Sequence, residues 1–86
     1  MNEQRILDEL LTLLEANGVV VRRDALGGGA GGFCVVKGEK LFFVDTQSTV
    51  LESAALAAEA ASRVVDIEAI FLRPEIREFI ESHSNP

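Results

Sequence analysis

Six consecutive residues, Gly27-Gly28-Gly29-Ala30-Gly31-Gly32, hold five of the seven glycines of this chain. Glycine loses more backbone freedom on ordering than any other residue and offers no side chain to pack. The tract is therefore a loop, and it divides the 86 residues into a helix-and-strand half and a hairpin-and-helix half. Any fold for this chain has to give that loop a task, either as a tightly turning connection or as a ligand-contacting cradle.

Upstream, residues 3–17 carry Ile6, Leu7, Leu10, Leu11 and Leu14 at helical spacing, with Glu3, Asp8, Glu9 and Glu15 on much of the remaining surface. Asn2 is placed to cap the first turn, and Gly18 stands where a left-handed terminating residue is wanted. The β-branched run Val19-Val20-Val21 predicts a first strand ending at Arg22-Arg23. Downstream, Phe33–Lys37 and Leu41–Val44 read as two strands of a hairpin, with Gly38-Glu39 as a type II′ turn. Thr49-Val50-Leu51-Glu52 has the form of a capping box and predicts an alanine-rich helix to about Arg63. A short strand is expected over 68–72, and Pro74 opens a last helix with Ile76, Phe79 and Ile80 along its apolar edge. Residues 82–86 are expected to fray.

These elements predict one α+β domain over residues 1–86: a small antiparallel sheet of three or four strands packed by two or three helices, the last closing an edge or end. A hydrophobic fraction of 48% is enough to build its core, which argues against a disordered chain. Fourteen acidic against eight basic residues give a formal charge of −6, which repels phosphate backbones. Basic residues never cluster beyond Arg22-Arg23, and Trp and Tyr are absent, so nucleic acid is not an expected partner. No apolar run approaches the roughly 20 residues that span a bilayer, so no membrane partner is expected either. One cysteine excludes an internal disulfide framework, and together with the polar N-terminus it points to the cytoplasm.

The tract 27–32 contains the spacing G-x-G-x-x-G, but the segment that follows, Phe33-Cys34-Val35-Val36, is a strand. A dinucleotide fingerprint needs a helix there to receive the pyrophosphate. A P-loop fails too, because Phe33 stands where its lysine belongs. Gly28, Gly29, Gly31, Gly32 and Cys34 are the residues a ligand site at this loop would use. Cys34 needs a base to act as a nucleophile, and the single histidine, His83, lies near the chain's end. One Cys and one His do not make a zinc site, and no spaced acidic loop around Asp24 or Asp45 resembles a hard-cation site. No metal and no cofactor are expected.

The order helix, strand, glycine loop, hairpin, polar turn and helix, with the window Leu56-Ala57-Ala58-Glu59-Ala60-Ala61-Ser62, resembles the ImmA/IrrE-type zinc metallopeptidases. Their helix carries L-A-H-E-x-x-H, and Glu59 matches the general base of that motif. Its histidine positions fall on Ala58 and Ser62, so the resemblance implies a fold without two zinc ligands and without peptidase chemistry. In such a relic Glu59 would face a cleft. The segment from Phe71 to Phe79 looks, besides, like small uncharacterised bacterial proteins.

The leading functional expectation is a non-catalytic interaction or regulatory module, binding a protein partner or a second copy of itself. Its interface is expected on the thin alanine face of the second helix, at Ala54, Ala58 and Ala61, or at the exposed strand edges of so small a sheet, which Arg22-Arg23 and the hairpin lysines otherwise blunt. The alternative is a small-molecule-binding or enzymatic domain built on the glycine loop 27–32 and Cys34.

Overall fold

In a computed structural model, which describes residues 2–83, the chain forms α1 (Glu3–Ala16), β1 (Val20–Asp24), β2 (Gly32–Val36), β3 (Glu39–Asp45), α2 (Val50–Val64) and α3 (Pro74–His83). The expected α+β class, with three strands and three helices, is what this order builds.

Local chemistry sets most boundaries. Asn2 Oδ1 accepts the Arg5 N–H at 2.9 Å and starts α1. At its other end Gly18 takes φ +83°, its N–H donates to Glu15 O, and the Val19 N–H donates to Leu14 O. That double bond pattern is a Schellman termination, and it is sealed by burial of both Leu14 and Val19. Thr49 and Glu52 form the reciprocal capping box at the start of α2.

The hairpin turn sits one residue earlier than expected. Val36 pairs with Glu39, leaving Lys37 and Gly38 as the two loop residues, at φ +52° and +80°. Two positive values make a type I′ turn, which matches the twist of the flanking strands. Lys37 takes the left-handed region although it carries a side chain, the one described non-glycine residue that does so.

Strand order is β1-β3-β2. β2 and β3 are antiparallel as a hairpin must be, but β1 runs parallel to β3, so the sheet is mixed rather than wholly antiparallel. The reason lies in composition. β3 holds Leu41-Phe42-Phe43-Val44, apolar on both faces, and takes the centre where it is paired on both sides. β1 is then displaced to the far edge, and the glycine loop has to cross the end of β3 to reach β2.

Phe42 and Val44 point into the core beneath α1 and α2, joined by Val21 and Phe33 from the edge strands. Alternation turns Leu41 and Phe43 to the opposite face, which no helix covers. Leu7, Leu10, Leu11 and Leu14 of α1 meet the alanines of α2. α3 buries Ile76 and Ile80 against the helices and makes no contact with the sheet, so it closes neither edge, contrary to expectation.

Residues 68–72 form no strand. Asp66 O accepts the Ala69 N–H in a turn, and Arg77 reaches back from α3 to donate to Ile67 O at 2.7 Å. The segment joins α2 to α3, its Phe71 and Leu72 line a groove with Leu13 and Ala16 of α1, and none of it pairs with a strand. α3 continues through Ser82 to His83, whose ring lies 4.2 Å from that of Phe79; the rest of the expected frayed tail lies outside the described residues. No helix among the described residues is long and apolar enough to cross a membrane.

Because α2 meets α1 through methyl groups, its packing tolerates no added volume. Ala57→Leu is expected to destabilise the fold by about 1–3 kcal/mol, the usual range for overpacking, read as a lowered urea midpoint.

Candidate functional site

β3 ends at Asp45, and its carboxylate organises the whole glycine loop. Oδ1 accepts the N–H of Leu26 at 3.0 Å and of Gln47 at 2.9 Å. Oδ2 accepts the N–H of Gly28 at 2.6 Å and of Ala30 at 3.3 Å. The intervening amides go to the next turn: Gly27 N–H donates to Gln47 Oε1 at 2.6 Å and Gly29 N–H to Ser48 Oγ at 2.8 Å. The backbone N–H of every residue from Leu26 to Ala30 is thus held by a side chain of residues 45–48.

That arrangement demands glycine. Gly27, Gly28 and Gly29 follow one another at φ +93°, +86° and +81°, a left-handed run that side chains resist. Gly31 is required for space instead, since a Cβ there would stand 2.7 Å from the carbonyl oxygen of Phe43.

Asp45 is 2% exposed, yet no charged side chain pairs with it among the described contacts. Burial pushes its carboxyl upward, and the amides of Gln47, Leu26, Ala30 and Gly28 together outweigh that, holding it below the usual carboxylate range. Glu52 is also held low, chiefly by the Thr49 N–H and then by its hydroxyl, with burial and the Asp45 charge opposing.

Chemically, the concavity that a row of loop amides offers to an anion is already filled by the chain's own carboxylate. Gly28 and Gly29, expected as ligand-binding residues, have their N–H groups committed to Asp45 and Ser48. Gly31 lies against Phe43, and Gly32 begins β2. Cys34 pairs with Leu41, four residues back along β3 from Asp45, so it sits about 13 Å from the clasp at strand rise. The loop and the thiol do not form one site.

The expected interface residues Ala54, Ala58 and Ala61 are fully buried within the chain's own core. They present no surface to a partner, because α1 already uses the close approach that small side chains permit. Glu59 carries its carboxylate outward to Arg63 at 2.8 Å, Ala58 is buried, and Ser62 Oγ donates to the Glu59 carbonyl at 2.6 Å. Arg73 and Arg77 pair with Glu9 and Glu68 at 3.6 and 3.3 Å. Among the described residues no three His, Cys, Asp or Glu side chains gather as a metal-ligand cluster.

The sequence pointed to exposed strand edges in general, but not to which apolar side chains the chain leaves uncovered. Val20, Val35 and Val36 are 41%, 57% and 49% exposed on the sheet, and Phe71 is 87% exposed beside a shallow groove along α1. The signal for Val35 and Val36 was the neutral run 32–36 next to a two-residue turn; for Val20 and Phe71 there was none beyond their apolar neighbours.

The chain matches no family model, no curated protein and no solved structure.

Asp45→Asn keeps the shape of the clasp but replaces one acceptor oxygen with an amide that faces the Gly28 and Ala30 N–H groups or their Leu26 and Gln47 counterparts. It is expected to lower the urea midpoint at pH 7 and to speed hydrogen exchange at residues 26–30. The folded carboxyl titrates below its unfolded value, so its stabilisation is complete above roughly pH 5 and is lost as pH falls through the folded pKa. The gap between native chain and variant should therefore narrow below about pH 4. A gap that stays constant down to acid unfolding would show that the charge of Asp45 contributes nothing.

Proposed function

We propose that this chain is a non-catalytic interaction module that associates with copies of itself through its sheet, in a cytoplasmic setting. The observation that carries the reading is the distribution of uncovered apolar surface. All three helices lie on one side of the sheet, and the other side keeps Val20 and Val36 exposed beside half-buried Leu41, Phe43 and Cys34. In an 86-residue chain of charge −6, polar residues are plentiful, and an apolar strand surface left open is the feature to be explained by function.

The internal accounting of polar groups supports the same reading. The loop that most resembles a ligand cradle has its amides occupied by Asp45, Gln47 and Ser48, so an external anion would have to displace a buried carboxylate. Among the described residues no buried side-chain nitrogen or oxygen lacks a partner, so none is held poised for a substrate. Of the two association surfaces expected, this reading takes the sheet, because the alanine face is buried within the chain.

Light scattering over a wide dilution series tests this directly. A mass that rises with concentration above the 9.3 kDa monomer towards twice that value is expected. A monomeric mass up to millimolar concentration would sink self-association.

A further inference from the structure

Of the three asparagines in the chain, Asn17 is the one followed by glycine. The backbone nitrogen after an asparagine is a nucleophile towards the side-chain carbonyl carbon, because their bond closes a five-membered ring. Glycine at that position lacks the Cβ that otherwise crowds the approach. Asn85 precedes Pro86, whose nitrogen has no hydrogen to lose, and Asn2 precedes the bulkier Glu3.

The fold holds Asn17 and Gly18 in an unreactive form. Asn17 caps the end of α1 with ψ +22°, which turns the Gly18 nitrogen to the far side of the Cα–C bond from the Asn17 side chain. Asn17 Nδ2 donates to Leu13 O at 2.9 Å, and the Gly18 N–H donates to Glu15 O at 3.1 Å. Leaving group and nucleophile are thus both tied to the last turn of the helix. Val19, 3% exposed, donates its own N–H to Leu14 O and anchors the pair from the other side. Gly18 itself is exposed, so water reaches the junction once those bonds open.

We propose that Asn17-Gly18 is a site of spontaneous modification to aspartate and isoaspartate, gated by opening of the α1 end. When the last turn frays, ψ of Asn17 rotates and the Gly18 nitrogen gives its proton to water. That nitrogen bonds to Asn17 Cγ, the Cγ–Nδ2 bond breaks, and Nδ2 takes up a proton and leaves as ammonia. Water then opens the resulting succinimide. Cleavage between the nitrogen and Cγ restores the ordinary main chain with aspartate at position 17. Cleavage between the nitrogen and the main-chain carbonyl carbon leaves isoaspartate, the chain now running through the former side chain. Water is the only co-reactant, and nothing is oxidised or reduced.

Either product undoes the termination that withheld it. A carboxylate oxygen in place of Nδ2 faces Leu13 O as acceptor against acceptor, and it adds negative charge at the negative end of the helix dipole. Lys40 Nζ, 3.4 Å from Asn17 O, supplies a partial counter-charge. Isoaspartate lengthens the main chain by one carbon within the turn, which moves the Gly18 and Val19 amides out of register with Glu15 O and Leu14 O. The change runs one way, and it loosens the joint that seats Val19 in the core between α1 and β1.

Trypsin releases the pair within the peptide Ile6–Arg22, whose mass gain and isoaspartate content are read by tandem mass spectrometry. In mildly alkaline buffer, chain unfolded in urea is expected to convert as fast as the free peptide, and native chain at least about tenfold more slowly. Val19→Ala, checked as folded by circular dichroism, is expected to convert faster than native chain, because it weakens the seal of the helix end. Asn17→Asp, one of the two products, is expected to lower the urea midpoint. An unfolded chain with no mass gain would show that the pair is no modification site. Equal rates in folded and unfolded chain, or a Val19→Ala rate no higher than native, would overturn the gating by the helix end.

Discussion

The carboxylate of Asp45 is the interaction on which the architecture turns. Once the most apolar strand takes the centre of a three-stranded sheet, the chain must travel from one edge to the other across that strand's end. A short crossing there runs over buried backbone and cannot pair its own amides. A single acceptor with two oxygens, placed at the end of the central strand, satisfies four N–H groups at once. Gln47 and Ser48 take the alternate amides, so loop and turn form one hydrogen-bonded unit. Without an acceptor at this point the loop amides would be left to solvent and the crossing would lose its fixed shape, although the ladder of β1 with β3 would remain.

The same unit also borders the entrance to α2. The turn that supplies Gln47 and Ser48 leads at once into Thr49, whose capping box starts the helix. The Asp45 and Glu52 charges oppose one another mildly, and each is held ionised by N–H donors of the local backbone. Strand end, crossing loop and helix start are therefore tied to one another over fewer than ten residues of β3–α2 connection, and the alanines that follow let α2 lie close to α1.

Much of the fold was legible because it is set by local rules. Asn2, Gly18 and Thr49 mark helix ends by the hydrogen bonds that their side chains or backbone can make, and those bonds act within four residues. The turn at Lys37-Gly38 was misplaced by one residue because a lysine with positive φ leaves no mark in composition. What was not legible is non-local. Nothing in Val20-Val21-Arg22 says whether its neighbour is β2 or β3, and a glycine tract reads the same whether its amides face a ligand or an aspartate fifteen or more residues on. The alanines of α2 signalled close approach correctly but not to whom: the partner is α1 of the same chain. Residues 68–72 had strand-like composition, yet they join α2 to α3 and pair with no strand.

The parallel pairing of β1 also orders events in time. Partners in the β2–β3 hairpin lie between three residues apart, at Val36 and Glu39, and eleven apart, at Gly32 and Phe43. Every β1–β3 pair, from Val20 with Leu41 to Asp24 with Asp45, spans twenty-one. Hairpins close in microseconds, and pairings across longer stretches wait on a larger loss of chain entropy. The hairpin thus carries Asp45 into position first, and the crossing loop wraps onto a carboxylate already in place. Within the sheet β1 is the strand with the most distant partners. The packing of α1 on α2 closes a longer stretch of chain still, so sheet and helix layer are both completed by non-local contacts.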